Sequence, residues 1–421
     1  MRDKKNNKVT RAEGQVGVVP QVRFPEFREN WSKSLLGNEV KEFRLNSTIQ
    51  DEYEVLTSAR RGLIRQVDYY GEGRITERNN VGFNVIPPDY VTYRSRTDNG
   101  RFYFNHNDLG ITGIISVYYP VFSSVTGSNA FLATLLNHFS ILIGSHSVGT
   151  SQRVLPLSKL LRVMLPIPDP AEQQKIADCL TSLDELIATQ AQKVAALKTH
   201  KKGLMQQLFP REGETQPRLR FPEFRDDENW KAKTLAEVIE IASGQVDPRE
   251  PPYCDALQIG SENIESHTGR LVNVKSASDK GIMSGNYAFD EGDVLYSKIR
   301  PALNKVAAPN FRGICSADIY PIRPANGGLI RIYLLYLLLS QKFLDYAIRN
   351  SERGKIPKIN RDALLTYEVL IPSPAEQQRI AYCLCNLDEL ITTETQKLET
   401  LKHHKRGLMQ QLFPSPDETS I

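Results

Sequence analysis

Two short runs of cations stand at matching places in this sequence. Asp89-Tyr-Val-Thr-Tyr-Arg-Ser-Arg96 and Asp293-Val-Leu-Tyr-Ser-Lys-Ile-Arg300 each read as an aromatic-containing strand running into a basic turn, and Arg96 and Arg300 lie 204 positions apart. A guanidinium offers a flat fork of N–H donors that suits phosphate oxygens or the O6 and N7 acceptors of guanine. A basic strand end is otherwise an ordinary solvated feature, and its recurrence at one offset is what favours a binding role. Arg60, Arg61, Arg65, Arg101 and Lys305 are further candidates. Near the end of each stretch a glycine loop carries more cations, Gly149-Thr-Ser-Gln-Arg153 and Arg353-Gly-Lys-Ile-Pro-Lys358, so Arg153, Lys355 and Lys358 join the set. Glycine lets backbone N–H groups approach a phosphate; it also ends helices, and residues 128–145 and 329–351 read as helices.

Catalytic constellations are harder to find. Arg249-Glu-Pro-Pro-Tyr253 superficially resembles the Asn/Asp-Pro-Pro-Tyr motif of adenine methyltransferases, but Glu250 departs from it and no glycine-rich cofactor loop follows a strand upstream. There is no GxxxxGK[ST] phosphate loop and no HExxH pair. Cys179, Cys254, Cys315, Cys383 and Cys385 are odd in number and lack CxxC spacing, so they read as buried thiols rather than as disulfides or a zinc site. His200, His403 and His404 fall on helix faces expected to be solvated or to dock a partner. We assign no catalytic residue and no metal ligand.

What must position the cations is a chain written twice. Arg23-Phe-Pro-Glu-Phe-Arg28, followed by Trp31, recurs as Arg220-Phe-Pro-Glu-Phe-Arg225, followed by Trp230. Ile167-Pro-Asp-Pro-Ala-Glu-Gln-Gln174 recurs as Ile371-Pro-Ser-Pro-Ala-Glu-Gln-Gln378, and Gly203-Leu-Met-Gln-Gln-Leu-Phe-Pro210 recurs unchanged at 407–414. Between these markers residues 53–160 and 253–364 differ almost everywhere. The expected order is a basic N-terminal tail at 1–22, a mixed α/β body at 23–165, a spacer helix at 166–210 and a polar linker at 211–219. A second body at 220–370, a second helix at 371–414 and a tail at 415–421 complete it. With 421 residues, 40% of them hydrophobic, there is material for at least two domains. The net charge of +4 permits an anionic partner without proving one. No apolar run reaches the roughly 20 residues that cross a bilayer, and the polar start lacks the apolar core of a signal peptide, which suggests a cytoplasmic protein.

Each repeated segment reads as a helix opened by a capping box, Asp169 with Glu172 and Ser373 with Glu376, with proline at the first helical position. Apolar residues then step by fours and threes: Ile176, Leu180, Leu183, Ile187, Val194, Leu197, Leu204 and Leu208 in the first copy, and Ile380, Leu384, Leu387, Ile391, Leu398, Leu401, Leu408 and Leu412 in the second. A seam kept over about five heptads predicts helices of roughly 38 residues and about 57 Å. Neither can bury its stripe alone. A pseudo-twofold relating the copies favours an antiparallel coiled coil with the two bodies at opposite ends. Gln190, Glu394, Lys201 and Lys405 interrupt the seam, and a symmetric register sets Gln190 against Glu394; both could equally face solvent. The second helix carries five basic and five acidic residues, so the rod is near neutral and is not the main phosphate-binding surface.

The alternation of variable body and IPxPAEQQxIA helix ending in KxGLMQQLFP resembles the specificity subunit of type I restriction-modification systems, over nearly all of the chain beyond Gln21. Tyr296 to Pro301 and Ser316 to Tyr320 also look like recognition-domain sequence of that family. The resemblance implies two α/β target recognition domains, each reading one half of a bipartite asymmetric site in double-stranded DNA, with the helices setting the spacer. It further implies two modification subunits that carry S-adenosylmethionine, and motor subunits that use ATP and Mg, with no cofactor held by this chain. The competing readings are a stand-alone sequence-specific DNA-binding protein and a DNA adenine methyltransferase.

Overall fold

The computed structural model describes residues 18–70, 79–283, 285–325, 328–352 and 354–415. Most of the expected N-terminal tail, Arg353 of the second glycine loop and all but Ser415 of the C-terminal tail lie outside the described residues. The chain forms two compact units that cut across its order: Met1–Thr189 with Lys397–Ile421, and Gln190–Gln396.

In the first unit, alternating strands build an antiparallel sheet in the spatial order Val40–Phe43, Val121–Ser124, Val91–Tyr93, Phe104–His106. Its inward side chains, Val91, Tyr93, Phe104 and Phe122, meet Phe131, Leu135 and Leu136 of the helix Asn129–His138 in one core. A second sheet, ordered Gly62–Arg65, Glu54–Ala59, Gly113–Ile115, Asn84–Ile86, contains one parallel pairing, between Glu54–Ala59 and Gly113–Ile115. The clasp of Ser32–Leu35 against Met164–Ile167 returns the end of the body to its beginning.

The second unit follows the same plan. Its first sheet runs Ile239–Ile241, Ile319–Pro324, Val294–Ser297, Val306–Ala307, with the helix Arg331–Leu339 packed on it, and its clasp joins Lys231–Thr234 to Glu368–Ile371. A five-stranded second sheet replaces the four-stranded one, and Leu257–Ile259 pairs parallel with Gly313–Ser316.

The repeated segments are the helices Pro170–Leu208 and Pro374–Gln411. Within the second unit their pairing is antiparallel, because Gln190 meets Glu394 while Lys201 meets Asp388. Within the first unit the pairing of Lys405 with Asp184 is the repeat-related counterpart of Lys201 with Asp388. Ile176, Leu180, Ile380, Leu384 and Ile391 are buried; Leu183, Ile187, Leu197, Leu204, Leu387, Leu401 and Leu408 are half-buried. The early seam positions serve two purposes. Ile176 and Leu180 belong to the core of the first body, and Ile380 and Leu384 to that of the second.

The end of each helix anchors in the body of the other repeat. Phe413 stacks on Phe131 at 5.6 Å and meets Trp31 edge-on at 6.1 Å, while Phe209 packs on Tyr333 at 5.5 Å. The backbone repeats the arrangement: Val22 N–H donates to Gln411 O and Leu219 N–H to Gln207 O, both at 3.0 Å. The identical Gly-Leu-Met-Gln-Gln-Leu-Phe-Pro endings therefore fill equivalent aromatic sockets.

Three expectations need correction. Asp169 and Ser373 do cap their helices, accepting from Ala171 N–H (2.8 Å) and Glu376 N–H (3.3 Å). The partner carboxylates, however, are gripped by the arginines of the entry motifs. Arg23 binds Glu172 through two bonds of 2.7 Å and Arg220 binds Glu376 through two of 2.8 Å, with both carboxylates about 1% exposed. A buried carboxylate gains more from a charged fork than from one more backbone N–H. Second, each expected body helix is two helices. Asn129–His138 gives way to Ser140–Ser145, and Arg331–Leu339 to Gln341–Arg349, where Ser340 turns the chain and caps the second helix through Phe343 N–H. Third, of the five thiols only Cys315 is buried, its titration pushed up to about 12 by burial and by nearby Asp293; the other four are half-exposed.

Candidate nucleic-acid interface

In the first unit the extended run after Val91–Tyr93 sorts its side chains by the alternation of a strand. Ser95 turns inward, donating to Tyr118 O at 2.6 Å, while Arg94 and Arg96 stay exposed on either side of it. The glycine loop returns beside them, since Arg153–Val154 pairs with Arg96–Thr97 and Leu155 N–H donates to Ser95 O. Gly100 makes room for this: its φ is +73°, and a β-carbon there would lie 3.1 Å from Arg153 Cδ. Arg60 and Arg61 form the turn between Glu54–Ala59 and Gly62–Arg65.

Strand end and turn face one cleft of about 660 Å³, lined by Arg60, Arg61, Arg94, Arg96 and Arg101 with Tyr69 and Tyr103. Arg153 flanks it. Among the described residues none of these six arginines has a carboxylate within 4 Å, whereas neighbouring Arg65 is paired with Glu54 at 3.4 Å. Asp98 also lines the cleft, but among the described residues it pairs with none of the six guanidinium groups, and such a concentration of cations on one surface raises the local anion concentration. Several rest on aromatic faces: Arg96 over Tyr118 at 4.2 Å, Arg61 over Tyr69 at 6.0 Å, and Arg60 and Arg101 over Tyr103 at 5.9 and 5.7 Å. The cation list did not include these tyrosines; the interleaving of Tyr69, Tyr103 and Tyr118 with arginines was the signal that could have found them.

The second unit repeats the frame with different charges. Ile359 N–H donates to Lys298 O, Arg300 N–H to Pro357 O at 2.7 Å, and Ile299 bridges to Lys358, so the second glycine loop also closes on the basic strand end. Lys298 is half-buried, 5.2 Å from the Tyr320 ring, and Arg300 is exposed with φ +48°. Lys355 is exposed, Lys358 lies 3.4 Å from Glu352, and Lys305 is held by Ser261 O at 2.5 Å. The second surface is therefore less strongly cationic than the first.

Arg249 is tied to Asp247, whose carboxyl it holds down at about 2, and residues 249–252 are exposed surface turns. Among the described residues no group of three or more His, Cys, Asp or Glu side chains converges as a metal site, and no helix is long and apolar enough to cross a membrane.

The family model described as the type I restriction modification DNA specificity domain matches residues 41–199 and again residues 227–403. The chain belongs to that family. Each match covers most of one body and much of one long helix, so the family unit follows the internal repeat. The type I restriction enzyme EcoDI specificity subunit of Escherichia coli is 31% identical over 275 residues, covering 59% of this chain and 60% of that protein. The MjaVIII specificity subunit of Methanocaldococcus jannaschii is 24% identical over 262 residues, covering 60% and 61%. The chain thus spans about three fifths of the length of these specificity-domain relatives. The fold is that of the type I restriction-modification S subunit from M. genitalium, with a TM-score of 0.59, 13% identity, and coverage of 94% of this chain and 99% of that one.

Proposed function

We propose that this protein is the non-catalytic DNA-recognition subunit of a type I restriction-modification complex and acts in the cytoplasm. The observation that carries the reading is the first-unit cleft, where arginines from separate elements converge and, among the described residues, none has a carboxylate within 4 Å. Non-specific attraction to phosphates and groove-edge reading both need such a surface. Bodies that share a frame but differ in charge and aromatic lining suit two different half-sites, read as one bipartite asymmetric target. Residues 23–165 and 220–370 are the two recognition domains in this reading. Arg60, Arg61, Arg94, Arg96, Arg101 and Arg153 contact one half-site, and Lys298, Arg300, Lys305, Lys355 and Lys358 the other. The seam leucines and isoleucines of 166–210 and 371–414 set the spacer.

The helices also present a repeated outer face. Leu186 and Leu390 occupy equivalent positions and are 50% and 42% exposed, beside the identical pairs Glu185 with Glu389 and Thr189 with Thr393. A leucine kept in both copies with about half of its surface exposed supports the docking of two copies of one modification subunit. S-adenosylmethionine would be held by those subunits, and ATP and Mg by motor subunits.

The test is co-expression with a type I modification subunit in a host free of other methyltransferases, followed by mapping of methylated adenines. The expected outcome is one asymmetric motif of two short blocks separated by a fixed gap. Methylation without a motif, or failure of the two chains to co-purify, would overturn the reading. Stoichiometric uptake of S-adenosylmethionine by the isolated chain would instead favour a methyltransferase.

A further inference from the structure

Resting on the reading above, we infer that Arg96, braced on Tyr118, is the guanine-reading residue of the first unit, while Arg60, Arg61 and Arg101 clamp phosphates. The Arg96 guanidinium carbon lies 4.2 Å from the centre of the Tyr118 ring, which braces the side chain. Its N–H donors lie in the plane of the group, and that fork matches two coplanar acceptors such as guanine O6 and N7. Arg96 also sits on a paired strand, fixed by Val154 across from it and by the Ser95 hydroxyl anchored on Tyr118 O. That rigidity is what base discrimination requires, since a displaced fork loses its second bond.

The other arginines differ on each count. Arg60 and Arg61 stand at a hairpin turn, and Arg101 follows the Thr97–Asn99–Gly100 turn, where Asn99 accepts from its backbone N–H. Their rings are more distant, at 5.7 to 6.0 Å. Such groups suit phosphates, which tolerate variable approach. The second unit carries the same device in weaker form: Lys298, also just past its strand, lies over Tyr320 of the adjacent strand. An ammonium on an aromatic face brings charge without the planar fork.

The experiment selects bound sequences from a randomised DNA duplex library with the full chain, then measures affinity against salt for the selected duplex. Arg96→Lys keeps the charge and removes the fork. It is expected to leave the salt slope unchanged and to lower the preference for one G·C pair in one block by roughly 5- to 100-fold. Tyr118→Leu, at a half-exposed position, should weaken preference at that same pair with Arg96 intact. Arg60→Ala, Arg61→Ala and Arg101→Ala should each leave the motif intact and reduce the salt slope by about 0.9. An unaltered motif for Arg96→Lys, or relaxation in both blocks, overturns the assignment while DNA reading stands. A wild-type chain that selects no motif overturns both.

Discussion

Gln190 donates to the Glu394 carboxylate at 2.7 Å and to the Glu394 backbone carbonyl at 2.9 Å, so equivalent positions of the two repeats meet in one polar contact inside an apolar seam. Lys193 adds a cation 3.1 Å from the same carboxylate, which is almost fully buried. Polar seam contacts are tolerated only in register, because any slip strands the charge among leucines. Gln190→Ala is expected to cost about 1 to 3 kcal/mol in urea denaturation. Replacing both residues with leucine should be close to neutral, or stabilising, while loosening the register. A single alanine variant as stable as the wild type would show that the contact fixes nothing.

The repeat-related pairs Lys201 with Asp388 and Lys405 with Asp184 differ in surroundings. Lys201 is buried, with two bonds of 2.6 and 2.7 Å to Asp388, which also accepts from the Tyr336 hydroxyl at 2.7 Å. The Lys405 pair faces solvent, with Asp184 57% exposed. Lys201→Ala should cost about 2 to 3 kcal/mol and Lys405→Ala less than about 1 kcal/mol. Equal losses in thermal unfolding would contradict this account.

Arg220 clasps Glu376 where Trp230 Nε1 also donates, at 3.2 Å. Arg220→Ala leaves a nearly inaccessible carboxylate with one neutral donor, and a loss of about 3 to 5 kcal/mol is expected. Arg225→Ala, an exposed change in the same motif, serves as the control and should fall within about 0.5 kcal/mol of wild type.

His138 Nε2 donates to Pro414 O at 3.0 Å and stacks on Phe413, and burial holds its titration below the ordinary imidazole value. The unfolded chain then binds the proton more readily than the folded one. This contribution to stability is whole above about pH 6.5 and is lost as the pH falls through that value towards the folded one. Melting curves at pH 8 and pH 5.5 should show a drop that His138→Gln reduces; an unchanged drop would place the acid sensitivity elsewhere.

Arg94→Ala combined with Arg96→Ala should impair one block of the target, and Lys298→Ala with Arg300→Ala the other. Equal damage to both blocks would contradict independent readers, and site selection with each double variant measures it.

Some of this protein was settled by the order of its residues. Repeats at a fixed offset and heptad spacing are local patterns, so they announced two similar bodies and two long helices and favoured their antiparallel pairing; that Gln190 meets Glu394 rather than solvent was left to the packing. The offset shared by Arg96 and Arg300 likewise marked the basic strand ends. Tertiary packing decided what depends on neighbours distant in sequence. Glu172 and Glu376 read as capping residues until Arg23 and Arg220, about 150 positions away, took their carboxylates. Lys201 read as a simple interruption, yet burial beside Asp388 and Tyr336 made it a buried ion pair. Lys305 read as a free cation, but a backbone carbonyl holds it. No local pattern encodes which helix end fills which aromatic socket, because that choice is made by the shape of a core whose parts are distant in sequence.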